Sequence, residues 1–304
     1  MIICGDSLQE LKKLPDISVQ CCVTSPPYWG LRDYGVEGQL GLEKTPQEYV
    51  ANMVEIFREV RRALKDNGTL WINLGDSYCG TGSKGDNKDP KYKNGRNGQS
   101  VAVNNKIEGL KKKDLVGIPW RVAFALQEDG WYLRQDIIWA KPNPMPESVR
   151  DRCTKSHEYI FLLSKSLKYY FDLDAIKEPT SHRREAKYAN RLDKLVGGRS
   201  YCGENVSTRV FSKDPERRNK RSVWNVVPKP FRGAHFATYP PDLIRPCILA
   251  GCPENGVVLD PFLGSGTTGV VCKELNRNFI GIELNPEYVE LAMGRVYQND
   301  WDIL

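Results

Sequence analysis

The 304-residue sequence has no apolar run of the roughly 20 residues that a membrane-spanning helix needs. Its N-terminus, Met1-Ile2-Ile3-Cys4-Gly5-Asp6, lacks a basic region ahead of an apolar one, so no secretory signal is expected. The nine cysteines are scattered without close metal-ligand spacing. Their odd number argues against a disulfide framework and for reduced cytosolic thiols, with no metal expected. No internal repeat stands out. A strong charge excess is also missing: 44 Lys and Arg against 38 Asp and Glu leave +6, which by itself says little about nucleic acid.

What is present is a globular composition, 40% hydrophobic and 27% charged. The length suits one large α/β domain with an insertion, or two domains. Met1 to Gly5 reads as a short strand. Ser7 to Leu14 reads as a helix, with Leu8, Leu11 and Leu14 on one stripe and Ser7 as its cap. Residues 16–25 lead through a strand into Pro26-Pro27, and 31–44 form a turn-rich loop. Thr45-Pro46 opens a long helix bearing Tyr49, Met53, Ile56, Phe57, Val60 and Leu64, which Asn67-Gly68 closes. A strand over 69–74, a helix over 119–127, strands over 131–139 and 158–163, and helices over 243–250 and 286–296 complete the pattern.

Two stretches break it. Residues 77–113 are rich in Gly, Asn, Lys and Ser and read as a mobile loop insertion. Residues 175–234 form a basic segment interleaved with Tyr188, Tyr201, Phe211 and Trp224. Arg183, Arg184, Lys213, Arg217, Arg218, Lys220 and Arg221 within it are the expected contacts to a phosphate backbone. The catalytic and cofactor-binding domain is then 1–174 together with 235–304.

The stretch Val23-Thr24-Ser25-Pro26-Pro27-Tyr28-Trp29 carries the chemistry. Two prolines end a strand because neither donates to a ladder, and each stiffens the residue before it. The Ser25 hydroxyl and Pro26 carbonyl become fixed acceptors, with Tyr28 and Trp29 as adjacent flat surfaces. That arrangement suits a planar ring held by its exocyclic amino group. Far along the chain, Val257 to Thr268 reads as strand, glycine turn and helix start, and Phe279 to Glu283 as a further strand ending in an acid. This is the logic of a nucleotide-binding βαβ unit. Gly264 and Gly266 permit a tight turn, and Thr267-Thr268 begins the helix. Asp260 before the glycines favours a cationic ligand over pyrophosphate. Glu283 can hold ribose hydroxyls, and Asp6 reads either as a helix cap or as a partner for an adenine amino group.

Asp260-Pro261-Phe262-Leu263-Gly264-Ser265-Gly266-Thr267-Thr268 and Thr24-Ser25-Pro26-Pro27-Tyr28 together resemble the cofactor and catalytic motifs of the amino-group DNA methyltransferases, which methylate cytosine N4 or adenine N6. Gly5-Asp6 and His157-Glu158 extend the resemblance over nearly the whole chain. The catalytic motif precedes the cofactor motif, as in the permuted β group of that family. The resemblance implies a Rossmann-like, S-adenosylmethionine-dependent methyltransferase fold with a mixed, mostly parallel sheet and circularly permuted motif order. It implies a catalytic set of Ser25, Pro26, Pro27 and Tyr28. It implies a cofactor set of Asp6, Asp260, Phe262, Gly264, Ser265, Gly266, Thr267, Thr268 and Glu283. The expected partner is double-stranded DNA with its target base flipped out. A homodimer and a cognate restriction endonuclease are left open as partners.

Serine before Pro-Pro favours cytosine N4 in this family, with adenine N6 as the alternative. A C5 methyltransferase would need a thiolate nucleophile. Pro246-Cys247 falls in an expected helix, where Cys247 reads as core packing. Readings from other classes are an RNA or protein methyltransferase, a nucleic-acid-binding protein without catalysis and, more distantly, a nicotinamide dehydrogenase.

Overall fold

The computed structural model describes residues 1–80, 107, 109–179, 217–228 and 239–297. The chain divides into two compact units, Met1–Asp172 with Ser222–Leu304, and Leu173–Arg221.

In the first unit the strands are β1 (Ile2–Cys4), β2 (Val19–Thr24), β3 (Leu64–Leu74), β4 (Tyr132–Ala140) and β5 (His157–Ser164). In the second unit lie β6 (Glu178–Pro179) and β7 (Arg217–Arg218), which pair with each other. The first unit resumes with β8 (Val223–Asn225), β9 (Val257–Asp260) and β10 (Asn278–Glu283). Its eight-stranded sheet runs β1-β10-β9-β2-β3-β5-β4-β8. The first five strands in that order are mutually parallel, and β5 runs against both neighbours. The sheet is therefore mixed and mostly parallel, the α/β Rossmann-like architecture expected. Between β2 and β9 the connections diverge, one leading to β3 and the other to β10. A ligand crevice forms outside the carboxyl ends of strands at such a reversal.

Six helices flank this sheet among the described residues: α1 (Ser7–Lys13), α2 (Pro46–Ala63), α3 (Ile118–Glu128), α4 (Pro241–Gly251), α5 (Thr267–Glu274) and α6 (Pro286–Tyr297). Alternation along the central strands sorts them. Cys22, Leu70 and Ile72 share a core with Leu11 of α1, Met53, Phe57 and Val60 of α2, and Val122 of α3. Cys21, Thr69 and Trp71 face the other way, against the end of α4 at Gly251. Each fully buried side chain on α2 contributes about 2 kcal/mol of transfer energy. Thr45 and Glu48 form a reciprocal capping box that fixes where α2 starts.

Three sequence expectations shift. Asn67-Gly68 does not close α2, because Leu64 already pairs with Val19; residues 65–68 bulge before Thr69 resumes pairing with Cys21. The cap of α1 is Asp6, whose Oδ1 accepts from the Gln9 amide at 3.0 Å, while Ser7 is the first helical residue. Part of the expected basic segment belongs to the main sheet, since β8 pairs with β4. Most of the expected loop insertion, 81–106 and 108, lies outside the described residues, and its flanks pair through Tyr78 and Leu115. Among the described residues no helix is long and apolar enough to cross a membrane. Cys247 is buried in α4, in agreement with its reading as core packing.

Candidate active site

The two motifs meet where β2 and β9 end side by side. Thr24, the last residue of β2, donates its hydroxyl to Asp260 Oδ1 at 2.6 Å. The Phe262 amide donates to the same oxygen at 3.1 Å. Thr268 of α5 and Tyr239 donate to Oδ2 at 2.5 and 3.0 Å. Asp260 is fully buried, and four donors occupy its carboxylate. Burial holds this carboxyl above its ordinary range, against the hydrogen bonds, which pull the other way. Asp260 thus stands behind the cleft wall with its carboxylate taken up by internal donors, where the sequence reading expected a counter-charge for a cation. Its role is to tie 24 to 260 and to the start of α5.

In front of that knot lies a cleft of about 860 Å³, counting space open to solvent. Its floor is the turn Pro261 to Ser265. Gly264 and Gly266 adopt φ of 55° and 85°, left-handed values that favour glycine. Glu283 at the end of β10 braces the turn: Oε2 accepts from the Gly264 amide at 2.8 Å and Oε1 from the Asn285 amide at 2.9 Å. Burial raises the Glu283 carboxyl despite these bonds. Arg295 of α6 reaches under the turn to the Ser265 carbonyl and hydroxyl at 2.7 and 2.6 Å. Of the expected cofactor set, Asp6, Phe262, Gly264, Ser265, Thr267 and Glu283 line the cleft, whereas Asp260, Gly266 and Thr268 build its wall from behind. Asp6 both caps α1 and lines the cleft, so its two readings coexist.

Ser25 and Pro27 line the same cleft. The Pro27 carbonyl accepts from Tyr49 OH at 2.9 Å. Among the described residues no donor reaches the Pro26 carbonyl. Tyr28 packs against Gly75, and its hydroxyl lies 2.8 Å from Glu158 Oε2 and 2.9 Å from Asn73 Oδ1. Burial and the Glu158 carboxylate push the Tyr28 phenol well above its ordinary value, so it stays a neutral donor. Ser25 Oγ is 3.4 Å from both Tyr28 OH and Asn73 Oδ1, long contacts that leave it free to take another partner. Trp29 is not a flat surface for a ligand: it is 3% exposed and donates to the Glu43 carbonyl.

Sequence reasoning missed several members of this site. The loop after the catalytic motif supplies Tyr34, Gln39 and Leu40 to the cleft, and α6 supplies Tyr288. Asn73 and Glu158 sit on β3 and β5 behind Tyr28. The His157-Glu158 pair at the start of an expected strand was the one signal that marked any of them. Arg183, Arg184 and Lys213 lie outside the described residues. Within the second unit, Arg218 and Arg221 share the Glu178 carboxylate at 3.0 and 2.7 Å, and Arg217 donates to the Lys177 carbonyl. Lys220 is half-buried between them in sequence.

A Rossmann-like sheet, a glycine turn with an acid on the following strand, and a Ser-Pro-Pro-Tyr strand exit opening on one cleft define the methyltransferase class. The DNA methylase family model of N6 and N4 enzymes matches residues 19–294, and the chain belongs to that family. It is similar to the type II methyltransferase M.Cfr9I of Citrobacter freundii, 51% identical over 300 residues covering 99% of this chain and 88% of that one. It is also similar to M.SmaI of Serratia marcescens, 50% identical over 298 residues covering 97% and 90%. Among solved structures, the cytosine-N4-specific PvuII DNA methyltransferase superposes with a TM-score of 0.65 at 19% identity, covering 98% of this chain and 86% of that one. A DNA modification methylase of Thermus thermophilus, solved with S-adenosyl-L-methionine, gives 0.60 at 22% identity over 98% and 93%.

Proposed function

We propose that this DNA methyltransferase moves a methyl group from S-adenosylmethionine to the exocyclic N4 of a cytosine flipped out of duplex DNA. The observation that carries the reading is the shared cleft: Ser25 and Pro27 of the catalytic motif open onto the space bounded by Phe262, Gly264 and Glu283. The residues fit the cofactor. Glu283 keeps lone pairs for ribose hydroxyls, Asp6 adds an acceptor, and the aromatic rings of Phe262, Tyr34 and Tyr288 offer apolar faces to a purine. Bound there, the cofactor supplies an activated methyl group. Ser25 Oγ and the Pro26 carbonyl accept hydrogen bonds from the target amine and so orient its nitrogen. Tyr28 stacks on the base. Positioning and fixed dipoles supply the catalysis without a covalent intermediate on the protein.

Cytosine is favoured over adenine by Ser25 ahead of Pro-Pro, and the cytosine-N4 specificity named for the PvuII enzyme agrees with it. The basic segment, with Arg217, Lys220 and Arg221 among its members, contacts the DNA backbone. The type II names of the relatives support a cognate restriction endonuclease and a cytoplasmic setting. Nucleoside mass spectrometry after incubation of unmodified DNA with protein and S-adenosylmethionine tests the reading. N4-methylcytosine is expected. N6-methyladenine would keep the mechanism and overturn the base choice, and an unmodified product from cofactor-competent protein would overturn the reaction.

Glu283→Ala gives a second check. Hydrogen bonds to a charged group contribute about 1.5–3 kcal/mol each. Losing them to the cofactor, together with the brace on Gly264, is expected to raise its Kd about 10- to 100-fold by calorimetry. An unchanged Kd would remove Glu283 from the cofactor site.

A further inference from the structure

Methylating an exocyclic amine leaves a proton to be disposed of, and Ser25 is a poor base. Behind Ser25 the hydrogen bonds form a directed chain. Ser25 Oγ donates towards Tyr28 OH at 3.4 Å, and Tyr28 OH donates to Glu158 Oε2 at 2.8 Å. The competing acceptor, Asn73 Oδ1, is neutral. Its Nδ2 donates to the Tyr159 carbonyl at 3.0 Å and, at 3.4 Å, to Glu158 Oε2, so its oxygen faces Ser25 and Tyr28. Glu158 is the one carboxylate among the described residues that hydrogen-bonds to this cluster. Its other oxygen, Oε1, is paired with Lys141, whose ammonium lies 4.2 Å from the Trp139 ring centre. The Glu158 and Lys141 side chains are 16% and 20% exposed. The chain therefore begins at the cleft and ends at an anion with a way out to solvent.

We propose that Glu158, acting through Tyr28, receives the proton released by the target amine; this rests on the amine-methylating reading above. As the N–C bond to the methyl group forms, the C–S bond of the sulfonium breaks and its electron pair stays on sulfur. One amine proton passes to Ser25 Oγ. The Ser25 proton passes to the Tyr28 oxygen, and the Tyr28 proton to Glu158 Oε2. Ser25 and Tyr28 each accept one proton and donate one, and Glu158 holds the last until water removes it. The 3.4 Å step shortens when the base presses on Ser25, as catalytic contacts do on complex formation.

The charged or titratable groups facing Glu158 are Tyr28 from the β2 exit, Lys141 from the end of β4 and Lys155 from the approach to β5. His157 points to the opposite face of β5, edge-on to Tyr159. Glu158→Gln keeps the shape of the side chain but cannot take the proton. It is expected to lower kcat about 100-fold, the scale of one general base. KM for DNA and the calorimetric Kd for cofactor should stay within about threefold, because Glu158 does not line the cleft. The wild type is expected to show an acid limb in kcat against pH, and Glu158→Gln to lack it. Glu158→Asp should restore the limb in part. Tyr28→Phe should cost as much as Glu158→Gln, and the double variant no more than either, as for groups acting as one unit. A merely structural Glu158 would leave the acid limb in place in Glu158→Gln, and that result overturns the proposal. So does a wild-type kcat in that variant. Should Glu158→Gln fail to fold, Tyr28→Phe with an unchanged acid limb overturns it equally. Absence of amine methylation by the wild type in the same series would instead overturn the reaction itself.

Discussion

Asp260→Ala is expected to lower the melting temperature by about 10 °C and to abolish measurable cofactor binding. The substitution strips a buried carboxylate from the hydroxyls of Thr24, Tyr239 and Thr268 and from the Phe262 amide. Leaving buried donors without partners costs about 1–3 kcal/mol each in the worst case, and breaking a buried charged network about 3–5 kcal/mol in total. For a domain of this size about 2–4 °C of melting temperature follows each kcal/mol. The loss reaches the cleft because Thr24 and Asp260 are what hold the two motifs in register. Differential scanning calorimetry and cofactor titration check both parts. A variant that melts like the wild type would show that strand pairing alone aligns β2 with β9.

The same carboxyl gives a signed pH effect. Burial raises its folded-state value, so the folded chain binds this proton more tightly than the unfolded chain. Between the unfolded value and the higher folded one, stability falls as pH rises. Asp260→Asn removes that contribution, so its stability should decline less than that of the wild type as pH rises from the ordinary carboxylate range towards neutrality.

Gly75→Ala is expected to lower kcat about 100-fold while the protein stays folded, at a stability cost of about 1–3 kcal/mol. A Cβ at Gly75 would fall 2.4 Å from Cε2 and 2.7 Å from Cδ2 of Tyr28. The ring has little room to yield. Its hydroxyl is held by Glu158 and Asn73, the Pro27 carbonyl before it is held by Tyr49, and Trp29 after it is buried. Relief must come from moving the ring, and a shift of about 1 Å at the residue we propose stacks on the base is enough for such a loss. Steady-state kinetics beside a melting curve separates the two effects. Undiminished kcat would mean that the ring need not stand where it does.

Much of the fold was legible because its signals are local. The stripe Tyr49, Met53, Ile56, Phe57 and Val60, behind Thr45-Pro46, specifies α2 by spacing and capping alone. The apolar runs 19–23 and 257–260 specify buried strands, and glycines at 264 and 266 a turn that needs positive φ. Ser25-Pro26-Pro27-Tyr28 declares a rigid strand exit. Where local signals competed, reading failed: Asp6 and Ser7 are both good caps, and Asn67-Gly68 turns a bulge as readily as it ends a helix.

Order along the chain, strand by strand, was therefore set by hydrophobic period and turn chemistry. Which strand ends became neighbours was set only by the sheet, which puts β2 beside β9 across 236 residues of sequence between Thr24 and Asp260. That pairing decided that Asp260 is a buried carboxylate filled by internal donors, while Glu283, like Asp6, lines the cleft. It also brought Asn73 and Glu158, from two further strands, behind Tyr28. A carboxylate in a sequence carries no mark of how many donors it will meet. The burial and hydrogen bonds that divide anchor from ligand exist only once the strands have packed.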